Sequence, residues 1–454
     1  MYSVIYRNLL FPIMEFVKGT KISSYLKWLN KTQWWKLKDL ERLQNKKLRA
    51  LIKHAYDNVP YYHRLFKKLG LRPEDIRTKE DLQKLPVLTK EDIRRNLNDM
   101  LARNMPRSRF IEAHSSGSTG EPLKYYVDKL AYSIGWAQTF RCWSWVGYRL
   151  GEPYVKISLN PRTKLIKKVQ DKLMRCIYIY SSGINNDNLI GYLKKMRNAK
   201  IIRSYASSAF MLANMIEKIG IDERFLPTPR AIATTGETLY NHWRRTIENV
   251  FECPVLDGYG GESTPVAFEC PMREGYHVCT ESVIVEILRN NEQVSSGEIG
   301  EVVITNLDNW AMPFIRYKLN DLATPSDEPC SCGRGLPMLE SIQGRDTDIV
   351  ITPNGSFLVV HFFTILFEYI EGVDQFQVIQ EKIDRLKVKI VRNDKFTEND
   401  LRYIVSQIKK HAGENMEIEV EFVDHIPPTR SGKRRFVISK VPISYLWRMI
   451  DERV

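Results

Sequence analysis

Ser115-Ser116-Gly117-Ser118-Thr119-Gly120-Glu121-Pro122 sets four hydroxyl side chains and two glycines side by side, then an acid and a proline. Glycine reaches the backbone conformations a tight cradle needs, so such a loop can wrap N–H groups and hydroxyls around a polyphosphate. It is not a Walker A loop, which ends in Gly-Lys-Ser/Thr; here Gly120 is followed by Glu121-Pro122. Taken alone, the stretch reads equally well as a flexible surface turn. What surrounds it decides between the two.

Downstream, from Phe110 to about Thr305, short apolar runs alternate with helical periods. The runs 154–159, 201–205, 231–235 and 254–259 read as strands, and 186–197, 208–219 and 240–251 as helices between them. This order predicts an α/β domain with a mostly parallel sheet and ligand-binding loops at the strand ends. The segments 283–288 and 301–305 read as antiparallel strands. Upstream, Leu37, Leu40, Leu48, Leu51, Ile52 and Ala55 recur at helical spacing until Val59-Pro60 breaks the pattern. Gly70 reads as the stop of a second helix. Thr78 and Thr89, each with an acid three places on, read as starts of further helices, so the first hundred residues are mainly helical. Beyond Gly344 a β-β-α-β order (376–380, 386–391, a helix opened by Thr397, 417–423) predicts a small α+β domain. The expected organisation is 1–343 as the core (1–109 helical, 110–343 α/β) and 344–454 as a mobile C-terminal lid.

The 454 residues carry 68 Lys and Arg against 54 Asp and Glu, a formal charge of +14, which suits acidic ligands such as nucleotides, coenzyme A or an anionic membrane face. No apolar run is long enough to span a bilayer, and the stretch Leu9–Val17 is interrupted by Glu15 with no small-residue cleavage site after it. These features, with seven cysteines and no secretory signal, predict a cytoplasmic protein with reduced thiols. The N-terminal segment leaves open a peripheral membrane contact through Tyr6, Leu9, Leu10, Phe11 and Phe16, or a helix packed on the body. No recognition helix and no aromatic-basic sheet motif is present, so nucleic acid is not an expected partner.

Four more segments follow the hydroxyl loop in order: Thr235-Gly236-Glu237-Thr238, Asp257-Gly258-Tyr259-Gly260-Gly261-Glu262, the pair Asp321 and Gly344-Arg345, and Pro427-Pro428-Thr429-Arg430-Ser431-Gly432-Lys433. Asp321 alone would read as a turn acid, Arg345 as a surface ion pair and Lys433 as one of several basic loop residues. As an ordered set they are specific. The chain resembles the adenylate-forming superfamily, most closely its phenylacetate–CoA ligase-like proteins and their capsule-biosynthesis CapK branch, over nearly the whole length.

The resemblance implies attack of a carboxylate on the α-phosphorus of Mg·ATP, giving acyl-AMP and pyrophosphate, then transfer of the acyl group to coenzyme A. It implies that Ser115, Ser116, Gly117, Ser118, Thr119 and Gly120 hold the β- and γ-phosphates. Gly236, Glu237, Tyr259, Gly260 and Gly261 form the adenine pocket, and Asp321 accepts from the ribose hydroxyls. Glu262 carries Mg²⁺, Arg345 sits at the hinge beside the α-phosphate, and Lys433 bridges the substrate carboxylate and α-phosphate. Three positions depart from the family pattern. Ser263 occupies the usual place of the magnesium acid, one residue after Glu262. Leu123 separates Pro122 from Lys124. Thr347-Asp348 stands where the hinge usually has two acids. An alternative acceptor is a sugar amine, a sugar hydroxyl or a carrier thiol in surface-polysaccharide synthesis. A further alternative is a basic binding module without enzymatic activity.

Cys270, His277, Cys330 and Cys332 make a Cys₃His set, the composition of a structural Zn²⁺ site, with Cys279 as a rival to His277 and buried free thiols as the other reading. Trp136, Phe140, Trp143, Tyr205, Ala206 and Phe210 are candidates to line a pocket for a small-molecule carboxylic acid, and core packing explains them equally.

Overall fold

The computed structural model describes residues 2–115, 123–158, 161–262, 264–354, 356–368, 370–427, 429 and 434–451. The helix Leu37–Asn58 buries Leu40, Leu48, Leu51, Ile52 and Ala55 on one face. Val59 then turns extended, Pro60 opens the helix Pro60–Leu69, and Gly70 ends it at a φ of 68°. Thr89 and Asp92 close a reciprocal capping box that starts the helix Lys90–Asn96. Thr78 and Asp81 form the same box, but it opens the six-residue 3₁₀ turn Lys79–Lys84 rather than an α-helix. Just before Lys90, the Leu88 N–H donates to Arg316 O (2.8 Å) and the Lys318 N–H to Leu88 O (2.9 Å), which docks this helical region onto the sheet. At the N-terminus Tyr6 and Phe11 are buried while Leu9, Leu10 and Phe16 are exposed, so this segment packs by one face only.

The large sheet has twelve strands. Its parallel half runs Cys176–Tyr180, Tyr154–Ser158, Ile201–Ser204, Ala231–Thr235, Val255–Gly261. The expectation of a mostly parallel arrangement holds for this half alone. After Gly261 the chain reverses at Glu262 and every further pairing is antiparallel, through Thr264–Glu269, Tyr276–Val278, Met338–Arg345, Tyr317–Ser326, Gly300–Asn306 and Val283–Arg289 to the edge strand Glu292–Gln293. The reason is connection length: helices separate the first strands, while short turns join the later ones and permit only antiparallel neighbours.

The last strand of the large sheet extends to Arg345, which pairs with Asp321, so the expected boundary at 343/344 falls just inside it. The small C-terminal sheet follows in the order Glu417–Phe422, Arg385–Arg392, Val373–Lys382, Val437–Ser439, with Ile404, Ile408 and Ala412 of the helix Glu398–Ala412 buried against it. An apolar cluster joins this domain to the helices outside the parallel half, through residues such as Trp243, Val350, Phe363 and Val378.

Candidate active site

A cavity of about 370 Å³ opens where the large sheet changes from parallel to antiparallel, and the C-terminal domain closes its far side. Open α/β sheets bind ligands at such crevices, because loops after neighbouring strands diverge there. Ser115, Gly236, Glu237, Tyr259, Gly260, Gly261, Glu262, Asp321 and Arg345 all line it, joined by Arg434, Arg435 and Phe436 of the C-terminal domain. Ser116, Gly117, Ser118, Thr119, Gly120 and Lys433 lie outside the described residues. At the base of the hydroxyl loop, Ser115 N–H donates to Leu123 O (2.8 Å) and Ser115 Oγ accepts from Leu123 N–H (2.9 Å). Lys124 instead pairs with Glu112 at 2.7 Å on the exposed hairpin Phe110–His114 and Lys124–Asp128.

Gly236 follows its strand at a φ of 76°, a turn that favours glycine. Glu237 beyond it accepts from the Ser207 N–H (3.0 Å), at the start of the helix Ala206–Ile219. Tyr259 donates its hydroxyl to Asp321 Oδ2 at 2.8 Å. Asp321 follows Asn320, which has a φ of 62° in a bulge opposite the strand Gly300–Asn306. Burial pushes the Asp321 carboxyl up from its ordinary value, and the charge of Arg345 opposes that rise. Glu262 Oε1 lies 3.4 Å from Lys90 Nζ. Below the cavity floor, Asp257 accepts from Thr234 Oγ1 (2.5 Å) and the Tyr276 hydroxyl (2.9 Å), while Arg244 grips Glu269 with both oxygens at 2.7–2.8 Å. This network fixes the strand that presents Tyr259.

Where the large sheet ends and the C-terminal domain begins, Gly344 has a φ of 90°. Arg435, two residues before the strand Val437–Ser439, donates to Asp348 Oδ1 (2.5 Å) and Thr347 Oγ1 (3.1 Å). Thr347-Asp348 therefore anchors the C-terminal domain in this arrangement. Sequence reasoning missed Lys90, Arg94, Asp257, Arg434 and Arg435 as site residues. The Thr89–Asp92 capping box reveals the start of a helix, but not that the helix points two cations at a cavity 170 residues away in the chain.

A second cavity, of about 470 Å³, meets the first at Gly258–Gly261. Trp136, Trp143, Tyr132, Thr139, Arg203 and Phe268 line it. Two of the six expected acid-pocket residues, Trp136 and Trp143, are therefore placed on its wall. Phe140 packs behind them, 5.5 and 5.4 Å from their rings. Tyr205 lines the first cavity, Ala206 is buried at its helix start, and Phe210 stacks on Trp243 at 5.2 Å. Core packing and the helix's outward turn account for these differences.

Cys270, His277, Cys330 and Cys332 converge, with all four ligand atoms within 4.8 Å of one another. Cys270 Sγ is 3.6 Å from Cys330 Sγ, and Cys332 Sγ is 3.3 Å from His277 Nε2. Bonds of about 2.3 Å to a tetrahedral centre place two sulfurs roughly 3.8 Å apart, so the set fits one Zn²⁺. Burial and the nearby Arg334 and Arg141 push the His277 pKa down to about 4, which leaves a neutral imidazole. Cys279 is elsewhere, with Arg141 Nη2 3.8 Å from its sulfur.

A profile of the CapK C-terminal domain family matches residues 350–440. Protein CapK of Staphylococcus aureus is 25% identical over 452 residues, covering 96% of this chain and 98% of that one. The phenylacetate-coenzyme A ligase of Thermus thermophilus is 24% identical over 441 residues, covering 88% and 96%. Over nearly its whole length the chain is therefore similar to Protein CapK and to phenylacetate-coenzyme A ligases. Its fold is that of adenylate-forming ligases: a crystal structure of 2-hydroxyisobutyryl-CoA ligase in the postadenylation state, with an acyl-AMP bound, superposes with a TM-score of 0.74 at 17% identity over 92% of this chain and 93% of that one. The crevice between the large and small domains of this chain gathers nine of the sequence-predicted residues.

Proposed function

We propose that this chain activates a small carboxylic acid with ATP and passes the acyl group to coenzyme A. The observation that carries the reading is the convergence of Tyr259, Asp321, Arg345 and Glu262 with residues 434–436 of the C-terminal domain on one cavity that opens into a second, aromatic-walled one. In the first half-reaction a carboxylate oxygen bonds to the α-phosphorus, the bond from that phosphorus to the bridging oxygen breaks, and pyrophosphate leaves. In the second, the coenzyme A sulfur bonds to the acyl carbon, AMP leaves, and the thiol proton goes to solvent.

Both partners in the first step are anions, so cations and fixed dipoles do the work. Asp321 offers its second oxygen to the ribose, with Tyr259 holding the first. Arg345, Lys90 and Arg94 give the cavity positive charge near the phosphates. Lys433 bridges the substrate carboxylate and the α-phosphate, and its neighbours Arg434–Phe436 already lie on the cavity wall. The Glu262 carboxylate faces the cavity with an amine as its partner, which suits exchange for a metal ion. Mg²⁺ held by Glu262 would neutralise the departing pyrophosphate. Zn²⁺ held by Cys270, His277, Cys330 and Cys332 would cross-link the loops around the strands Thr264–Glu269 and Met338–Arg345, away from the chemistry.

A second reading keeps the first half-reaction and changes the acceptor to a sugar amine, a sugar hydroxyl or a carrier thiol. What supports it is the similarity to Protein CapK over 452 residues and to the CapK C-terminal domain family over 350–440. An ¹⁸O-labelled acid pool with ATP tests adenylation itself: AMP that carries one ¹⁸O supports both readings, and unlabelled AMP contradicts both. Dependence of AMP release on coenzyme A then separates the two.

A further inference from the structure

Lys156 and Arg203 sit side by side, in register, on adjacent parallel strands of the large sheet. Their face of the sheet carries Tyr154, Ile201, Ala231, Ala233 and Leu256, all buried. Strands covered on both faces read as near-continuous apolar runs, so two cations here are out of place as packing. Arg203 lines the second cavity, stacked over the Trp136 ring at 5.4 Å. Lys156 lines a small adjoining pocket that shares Tyr132 and Trp136 with it. Among the described residues neither cation has an ion-pair partner. The nearby carboxylate, Asp171, is taken by Arg162 with both oxygens, at 2.6 and 2.7 Å. Tyrosines and a cysteine, not acids, supply the rest of the polar surroundings of Arg203.

Both cations are half-buried on cavity walls, and an unpaired charge partly withdrawn from water is costly unless a ligand completes it. We propose that the acid taken by this site carries a second anionic group, a carboxylate or a phosphate, which Arg203 and Lys156 hold at the far end of the second cavity. This rests on the adenylation reading above: one carboxylate faces Gly258–Gly261 for activation while the other anion is gripped about one cavity length away. Burial, and the neighbouring Arg203 and Arg162, push Lys156 down to about 8, and burial lowers Arg203 as well. A bound anion would reverse both trends.

The test compares matched acids in ATP–pyrophosphate exchange: terephthalate against 4-methylbenzoate, glutarate against valerate, and 3-phosphoglycerate against glycerate. The dianionic member of at least one pair is expected to exceed its partner by about tenfold or more in kcat/KM. Arg203→Leu is expected to remove that preference, mainly through KM, with Lys156→Met reducing it. The carboxylate and phosphate arms say which anion is read. Preference for the neutral member, or a preference that survives both variants, overturns the proposal. Calorimetric binding of the same acids to the native chain without ATP separates this failure from failure of adenylation. Arg203-dependent binding of a dianionic acid supports the site even if exchange is silent, and no binding by any dianionic acid overturns it.

An independent observation concerns the outer surface. The face of the helix Phe11–Lys18 turned from the body exposes Ile13, Phe16 (88%) and Val17 (78%), and the helix Leu165–Leu173 exposes Leu165 (76%), Ile166 (75%) and Val169. The two segments are neighbours: the Tyr6 hydroxyl meets Met174 Sδ at 3.5 Å, and Lys18 feels the charge of Lys167. The two acids in 2–21 and 161–173, Glu15 and Asp171, are both buried. The exposed charges, Arg7, Lys18, Lys21, Lys164, Lys167, Lys168 and Lys172, are all positive. A bare apolar face rimmed by cations alone matches an anionic lipid surface. We infer that this chain docks on membranes containing anionic lipid through these two helices. Co-flotation of the full chain with vesicles of phosphatidylcholine and phosphatidylglycerol is expected, with loss on pure phosphatidylcholine and in the Phe16→Ser/Ile166→Ser double variant. No flotation, flotation unchanged in the variant, or a dimer that the variant dissociates would each overturn it, the last by assigning the face to a second copy.

Discussion

The two ends of the site handle charge in opposite ways. In the first cavity the carboxylates have partners supplied by the fold: Tyr259 for Asp321, Lys90 for Glu262, Arg435 for Asp348. Along the second cavity, Lys156 and Arg203 have no ion-pair partner among the described residues, since nearby Asp171 is taken by Arg162, although both are half-buried in the sheet. Paired groups form machinery that is stable before any ligand arrives. Unpaired buried groups keep their place against stability, so they report on the ligand rather than on the fold. The Cys/His cluster is a third case, in which four donor atoms converge within 4.8 Å of one another.

That comparison can be broken or sharpened at four points. The largest effect is expected at the cluster. Metal analysis should find one zinc per chain, and chelation or Cys332→Ser should cost several kcal/mol of stability in denaturant titrations. Stoichiometric absence of zinc with unchanged stability would return the four residues to ordinary buried thiols. Next, Asp321→Ala should lower kcat/KM for ATP by about a hundredfold, since a charged acceptor for two ribose hydroxyls is lost. A change confined to the acid's KM would place Asp321 at the wrong end.

Lys156→Met should act in the other direction and stabilise the ligand-free chain by about 1–2 kcal/mol at pH 7. Its pH dependence has a definite sign. The folded chain releases this proton near pH 8 and the unfolded chain near the ordinary value of 10.5. Between those values the unfolded chain binds more protons, so native stability rises with pH and the advantage of the variant fades. An advantage that does not change across that window would mean Lys156 is already paired. The smallest effect is expected for Arg435→Ala. Its bridge to Asp348 is partly exposed and worth about 0.5–1 kcal/mol, so the ratio of the two half-reactions should shift only a few-fold, in favour of the second.

How much of this was legible in the sequence follows the same division. Glycine turns and capping boxes are local, and Gly236, Gly70 and Thr89 fell where their neighbours in the chain predicted, whereas Asp321, which alone reads as a turn acid, lies inside the strand Tyr317–Ser326. The parallel strands 201–204 and 231–235 were legible because each is a short apolar run bounded by breakers. The antiparallel half was only partly so: the reversal at Glu262 depends on tertiary pairing with Thr264–Glu269, which no local pattern encodes. Lys90 and Arg94 belong to a helix whose start Thr89 and Asp92 mark, and that local signal does not say which way the helix faces. Lys156 and Arg203 were invisible because each sits in a strand whose neighbours are apolar, and their adjacency exists only in the sheet register. The choice of His277 over Cys279 also needed the fold, since both are buried and two residues apart on the same segment.

Carboxylate-dependent ATP–pyrophosphate exchange over a mixed acid pool, on the native chain and on Lys433→Ala, tests the central claim most directly. Exchange that requires a pool member and falls by about a thousandfold in the variant is the predicted result. Absence of exchange with every acid, together with no binding of ATP, would contradict adenylation and leave the basic surface of this chain to serve as a binding module.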